Sequence, residues 1–321
     1  MLTGVFLFWR LVEPENTLKI IKEEEHPVIH TMTGLFAKMD INQVLSDELK
    51  VQKWQVDAAV KLIDEGNTIP FIARYRKEVT GALNDEVLRN LFERLTYLRG
   101  LEERKEAVLA SIEEQGKLTE ELKAKIVAAQ TLVAVEDLYR PYKPKRKTRA
   151  SIAKEKGLEL LANIIYLQMT TKSLEEEAKA YVDEEKGVAT VAEALAGAGD
   201  ILAEAISDEA DYRTKIRGLT EKEGSVVSQA KDEEAQSVYE MYYQFSETVK
   251  KIAGHRVLAL NRGEAEKILT VKIEAPVDKI LSYLEKEIIR RDNAHTNDFL
   301  KNVIKDSYDR LIAPSIEREI R

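Results

Sequence analysis

Residues 140–149 read RPYKPKRKTR, and six of the ten are Lys or Arg. Pro141 and Pro144 fix their own φ and push the preceding residues out of the helical region, so the segment is expected to run extended. Tyr139 and Tyr142 stand at its start. An extended basic segment with rings suits a phosphodiester chain: cations for the phosphates, aromatic faces for the bases. The candidate contacts are Arg140, Lys143, Lys145, Arg146, Lys147 and Arg149, with Tyr139 and Tyr142 for stacking. A second outlet for the charge exists. Six like charges repel one another, and residues 151–240 carry 20 Asp or Glu against 10 Lys or Arg, more than the whole net charge of −8. The loop is expected to dock on that acidic stretch or on RNA or single-stranded DNA, and the residues themselves leave the two open. An acidic middle repels nucleic acid, so any contact must be local.

A second basic cluster lies in 66–81, GNTIPFIARYRKEVTG. Pro70, Phe71, Ile72 and Tyr75 read as core. For Arg74, Arg76 and Lys77, ion pairs with acidic neighbours such as Glu78 are the first expectation, and contact with a phosphate the second.

Other chemistries find little support. The chain has no Cys, which removes disulfides, thiolate metal sites and a Cys nucleophile. His26 and His30 are spaced four apart, but Pro27 breaks the helix that would align them. His255 and His295 are isolated, and a zinc site needs three or four ligands. No G-x-S-x-G element is present. Gly197 and Gly199 lack the rest of a phosphate-loop pattern. The carboxylate runs at 23–25, 175–177 and 232–234 read as solvated faces. No metal, cofactor, small-molecule substrate or catalysis is expected. The apolar run 2–9 is too short to span a bilayer and lacks signal-peptide features, so a cytoplasmic protein without membrane contact is expected. Residues 1–38 are read as an extension, with Met32 and Met39 as alternative starts.

The elements that must hold these residues are mostly helical. Helices are expected over 41–49 and 54–64. The next starts at an Asn84 cap with the stripe Leu88, Leu91, Leu95, Leu98, Leu101, Val108 and Ile112. Another is capped by Thr119, and Gly66 and Gly116 are helix stops. The pair at 41–64 is expected to pack as ordinary helices, since Asp57, Asp64 and Glu65 make a poor groove-reading face. Helices follow over 158–169 and 174–181, short ones over 188–218, and a long one over 232–252. A β-hairpin is expected near 256–273, with strands 257–260 and 268–273 joined at Asn261-Arg262-Gly263. Helices at 277–291 and 298–312 and one opening at Pro314 complete the order. The fold class is mainly α, divided as 1–38, 39–187 and 188–321.

Three motifs carry a resemblance: GNTIPFIARYRKEVTG at 66–81, HRVLALNRGE at 255–264 and RLIAPSIERE at 310–319. Together with the basic segment they resemble the Tex family of bacterial transcription accessory proteins, from about Met39 to Arg321. Leu160 departs from the family's usual proline. The resemblance implies the multi-helical N-terminal region alone, ending before an RNase H-like YqgF domain, helix-hairpin-helix repeats and an RNA-binding OB-fold. It implies a nucleic-acid-binding transcription accessory role, as a non-catalytic scaffold. The alternative is a protein-interaction module docking a transcription or translation partner through its acidic face.

Overall fold

In the computed structural model the structure describes residues 39–321, so the expectations for 1–38, His26 and His30 lie outside the described residues. The chain divides into two compact units, meeting at Tyr139 and Arg140. That division differs from the expected one near 187. Residues 140–187 belong with the second unit because helices from this stretch are buried against its core.

The first unit holds α1 (Ile41–Leu49), α2 (Lys53–Asp64), α3 (Ile69–Tyr75), α4 (Asp85–Glu114), α5 (Glu120–Ala128) and α6 (Leu132–Tyr139). Local chemistry explains the boundaries. The Asp40 carboxylate accepts from Gln43 N, Asn84 Oδ1 from Val87 N, and the Thr119 hydroxyl from Leu122 N, each meeting one orphan amide of a first turn. Gly66 and Gly116 take positive φ and close α2 and α4. α4 is the spine, 30 residues and so about 45 Å long. Its leucines at 88, 91, 95, 98 and 101 continue into Val108 and Ile112, and all seven are buried. One polar clamp interrupts the seam. Buried Lys105 donates to Glu102 at 2.9 Å and to the Val127 carbonyl at 2.8 Å, tying α4 to the end of α5.

The second unit holds α7 (Arg149–Glu155), α8 (Glu159–Leu167), α9 (Leu174–Ala178), α10 (Val191–Asp208) and α11 (Ala210–Glu223), followed by β1 (Ser225–Ala230) and β2 (Gln244–Thr248). Then come α12 (Gly254–Ala265), β3 (Leu269–Glu274), α13 (Val277–Ile288), α14 (Asn297–Asp306), a π-helical turn (Ser307–Ile312) and α15 (Ala313–Ile320). α10 is central. Ala194, Ala198, Ile201, Leu202, Ala203 and Ile206 are all buried. Gly197 allows the closest approach: a Cβ there would stand 2.4 Å from Leu158 Cδ1. The Gly-x-Gly pair serves packing in this way.

The fold is mainly α with one small sheet, and the sheet corrects the expected hairpin. It has three antiparallel strands in the order β2-β1-β3. Residues 257–260 lie in α12, where Leu260 is buried and Gly263 packs against Leu269, so Gly263 is a helix-packing residue and no turn forms there. Arg, Leu, Ala and Glu favour helix at 254–265, and tertiary packing outweighs the single Val257. β3 pairs with β1 instead. The helix expected over 232–252 is also absent: the segment holds a 3₁₀ turn (Glu240–Tyr242) and β2. Its aromatics Tyr239 and Tyr242 join Leu260, Leu269 and Val271 in a separate small core. The short helices expected over 188–218 are two longer ones, α10 and α11.

Candidate nucleic-acid interface

The segment 140–149 enters the second unit as an irregular, largely exposed loop and ends at α7, where Thr148 and Ser151 form a capping box. Its cations divide by environment. Arg140 donates to the Ser315 hydroxyl at 3.3 Å and lies 4.0 Å from Glu319. Lys145 pairs with Asp208 and stands 3.4 Å from Glu204, both on α10. Lys147 is 3.5 Å from Glu155, with both side chains exposed. Lys143, Arg146 and Arg149 are exposed, and among the described residues Arg146 and Arg149 have no ion pair. Of the two outlets expected for the charge, the structure shows the acidic one. The acidic stretch takes Lys145, and other cations of the same loop face solvent.

The tyrosines divide too. Tyr139, in the first unit, is only 7% exposed; its hydroxyl shares a hydrogen bond with Ser111 Oγ at 2.9 Å and the Arg104 guanidinium covers its ring at 5.3 Å. Little of the ring is presented to a base. Tyr142 is half-buried, and burial, helped by the charge of Glu209, pushes its hydroxyl above the ordinary Tyr value.

Beneath the loop's first residue is a charged hub that sequence reasoning did not single out. Glu319 accepts from Arg213 at 2.5 Å and from Arg217 at 2.6 Å, and Ser315 Oγ lies 3.0 Å from both Arg213 and Glu319. Arg213 is wholly buried. Burial lifts the Glu319 carboxyl, but Arg217 and Arg213 outweigh it and hold the group below the ordinary Glu value. At Asp208 the balance is reversed. Burial pushes its carboxyl up, and Lys145 only partly offsets the shift. Ser315 and Glu319 both fall in the 310–319 motif, which was the one signal pointing to them.

Among the described residues no cluster of three His, Asp or Glu is placed to hold a metal ion, and no helix is long and apolar enough to cross a membrane. His255 and His295 are both exposed.

A helical spine unit followed by a helical unit with a three-stranded sheet is the architecture to which the three motifs belong. Residues 39–113 match the Tex-like protein N-terminal domain and residues 170–321 the Tex central region-like domain. The chain belongs to the Tex family. It is 48% identical over 284 residues to the uncharacterized protein YdcI of Bacillus subtilis, an alignment covering 88% of this chain and 40% of that one. It is 39% identical over 290 residues to the transcriptional accessory protein Tex of Neisseria gonorrhoeae, covering 88% and 38%. To the human S1 RNA-binding domain-containing protein 1 it is 29% identical over 332 residues, covering 96% and 33%. The chain therefore spans about 40% or less of the length of these relatives.

Proposed function

We propose that this chain is a non-catalytic helical scaffold of a transcription accessory factor and that it contacts RNA or single-stranded DNA through the 140–149 loop. The observation that carries the reading is the division of charge: Arg140 and Lys145 anchor the loop on the second unit, while Lys143, Arg146 and Arg149 are exposed. A proline-bearing loop held at its base presents its outer cations with little entropy left to lose. The names of two relatives, one a transcriptional accessory protein and one an S1 RNA-binding domain-containing protein, point the same way.

The test is fluorescence anisotropy of a labelled single-stranded RNA across a salt series. If the three loop cations meet phosphates, they contribute about −2 to the slope of log K against log salt. Substituting Lys143, Arg146 and Arg149 by Ala should remove that contribution from the slope and leave the melting temperature unchanged. An unaltered slope in this triple variant would reject the loop as the contact. A second reading, a module docking a transcription or translation partner, draws on the β1–β2 turn. There Val238 and Met241 are exposed beside Asp232, Glu233, Glu234 and Glu240. Capture of RNA polymerase or ribosomal components, lost on Val238→Ser with Met241→Ser, would support it.

A further inference from the structure

The ion pairs expected for the 66–81 motif are not formed. Arg74, Arg76 and Lys77 are all exposed, Glu78 beside them is exposed too, and among the described residues no carboxylate lies within ion-pair distance of the three cations. Arg76 Nη1 donates to the Tyr75 carbonyl at 3.3 Å, and both arginines also lie near aromatic rings. The Arg76 guanidinium sits 5.1 Å over the Phe71 ring, and that of Arg74 lies 6.0 Å from the Tyr75 ring. Phe71 and Tyr75 are 5.3 Å apart, centroid to centroid. Cations stacked on rings keep their charge and their outward hydrogen-bond donors, whereas cations bound to carboxylates are neutralised.

The turn that follows brings in another ring. Thr80 N donates to the Arg76 carbonyl at 3.1 Å and Ala82 N to the Lys77 carbonyl at 2.7 Å, so 76–82 closes on itself. Gln55 Nε2 donates to the Gly81 carbonyl at 3.0 Å, and the Trp54 ring lies against Gly81, where a Cβ would stand 2.4 Å from Cη2. Gly81 has φ +62, so both its backbone and the ring above it require glycine. Trp54 nevertheless remains 54% exposed and Tyr75 60%. Large rings left this far in water beside three unneutralised cations cost solvation that a folded core does not recover.

We infer that Trp54 and Tyr75, with Arg74, Arg76 and Lys77, form a second single-stranded nucleic-acid contact on the first unit. The rings take base faces and the cations take phosphates. The occupant follows from the charge: three cations against the single carboxylate of Glu78 select a polyanion, and exposed ring faces select one that carries bases. The inference rests on the ligand class proposed for the 140–149 loop but shares none of its residues, so either contact can fail alone.

Trp54 supplies a direct readout. The chain has two tryptophans, and replacing Trp9 by Phe leaves Trp54 as the sole indole. Titrating the full-length Trp9→Phe chain with oligouridylate should quench Trp54 fluorescence. Substituting Arg74, Arg76 and Lys77 by Ala should reduce the slope of log K against log salt by about 2 and weaken binding at least tenfold at low salt. Tyr75→Ser should weaken binding at least about fivefold with the slope unchanged. All four side chains are exposed, so the circular dichroism melt should match the parent. The 140–149 triple variant should still quench; loss of quenching only in that variant would show that the loop is the contact and overturn this assignment. Absence of quenching with oligouridylate would overturn it as well. So would equal quenching by oligoglutamate, which would make the patch a dock for acidic protein segments.

Discussion

Replacing Glu319 by Leu should be among the most damaging single changes in the second unit. Glu319 is the carboxylate partner of Arg213, whose side chain is fully buried, and the same carboxylate holds Arg217. Removing one partner of a buried pair leaves the other charge uncompensated, which costs about 3–5 kcal/mol. The unit spans Arg140–Arg321, 182 residues. At about 2.1 cal/mol/K per residue its unfolding entropy is about 0.4 kcal/mol/K, so the melting temperature should fall by about 8–13 °C. Differential scanning calorimetry of the full chain reads this. Adding Arg213→Met should recover most of the loss, because two apolar side chains of similar size replace the pair. The acid limb gives an independent check. The folded Glu319 carboxyl lies below its ordinary value, so its stabilisation is present above about pH 4.3 and is lost as pH falls through the folded value. The Leu variant should therefore lose less stability on acidification than the parent. A fall of under about 3 °C at neutral pH, or no recovery in the double variant, would refute the argument.

Two further outcomes follow from buried charge. Lys105→Met should cost about 3 kcal/mol in chemical denaturation by stranding the Glu102 carboxylate in the α4 seam, and Glu102→Leu in the same chain should restore most of it. Asp208 has the opposite sign to Glu319: its raised carboxyl gives stability present below about pH 3.9 that is lost as pH rises through the folded value. The melting temperature of Asp208→Asn, measured against the parent, should therefore climb between about pH 4 and pH 7, and a difference that stays flat would show that burial of this carboxyl has been overstated.

What could be read from the sequence was local. Asn84 and Thr119 cap the helices that follow them because a side-chain oxygen three residues before an orphan amide needs no tertiary help. The α4 stripe was legible because its seven buried residues repeat at helical spacing. The sheet was not. β1 pairs with residues 15 to 49 positions further along the chain, and that pairing sets the conformation of 244–248. The apolar spacing of Val238, Met241, Tyr242 and Phe245 imitates a helix stripe, yet Val238 and Met241 are exposed while Tyr242 is buried. At the candidate interface the composition of 140–149 marked the right chemistry but not its division. Lys145 is neutralised by Asp208, 63 residues later, and Arg140 is held by Ser315, 175 residues later. The ring of Tyr139 is covered by residues of α4, which no local pattern announces.

The outer edge of β3 is closed by side chains. Ile273 N donates to Glu317 Oε1 at 3.1 Å, and Arg321 reaches the Val271 carbonyl at 3.3 Å. Both backbone groups point away from β1, because the even-numbered residues of β3 face that strand. An unpaired amide and carbonyl two residues apart are what an incoming strand would read, and Glu317 of α15 and Arg321 just past its end occupy both. The opposite edge, β2, has no such cover at Gln244 and Ser246 among the described residues. The sheet is therefore directional as a template. Any strand-mediated self-association must start at β2, and loosening the last turn of α15 would turn a sheet that can grow one way into one that can grow both ways.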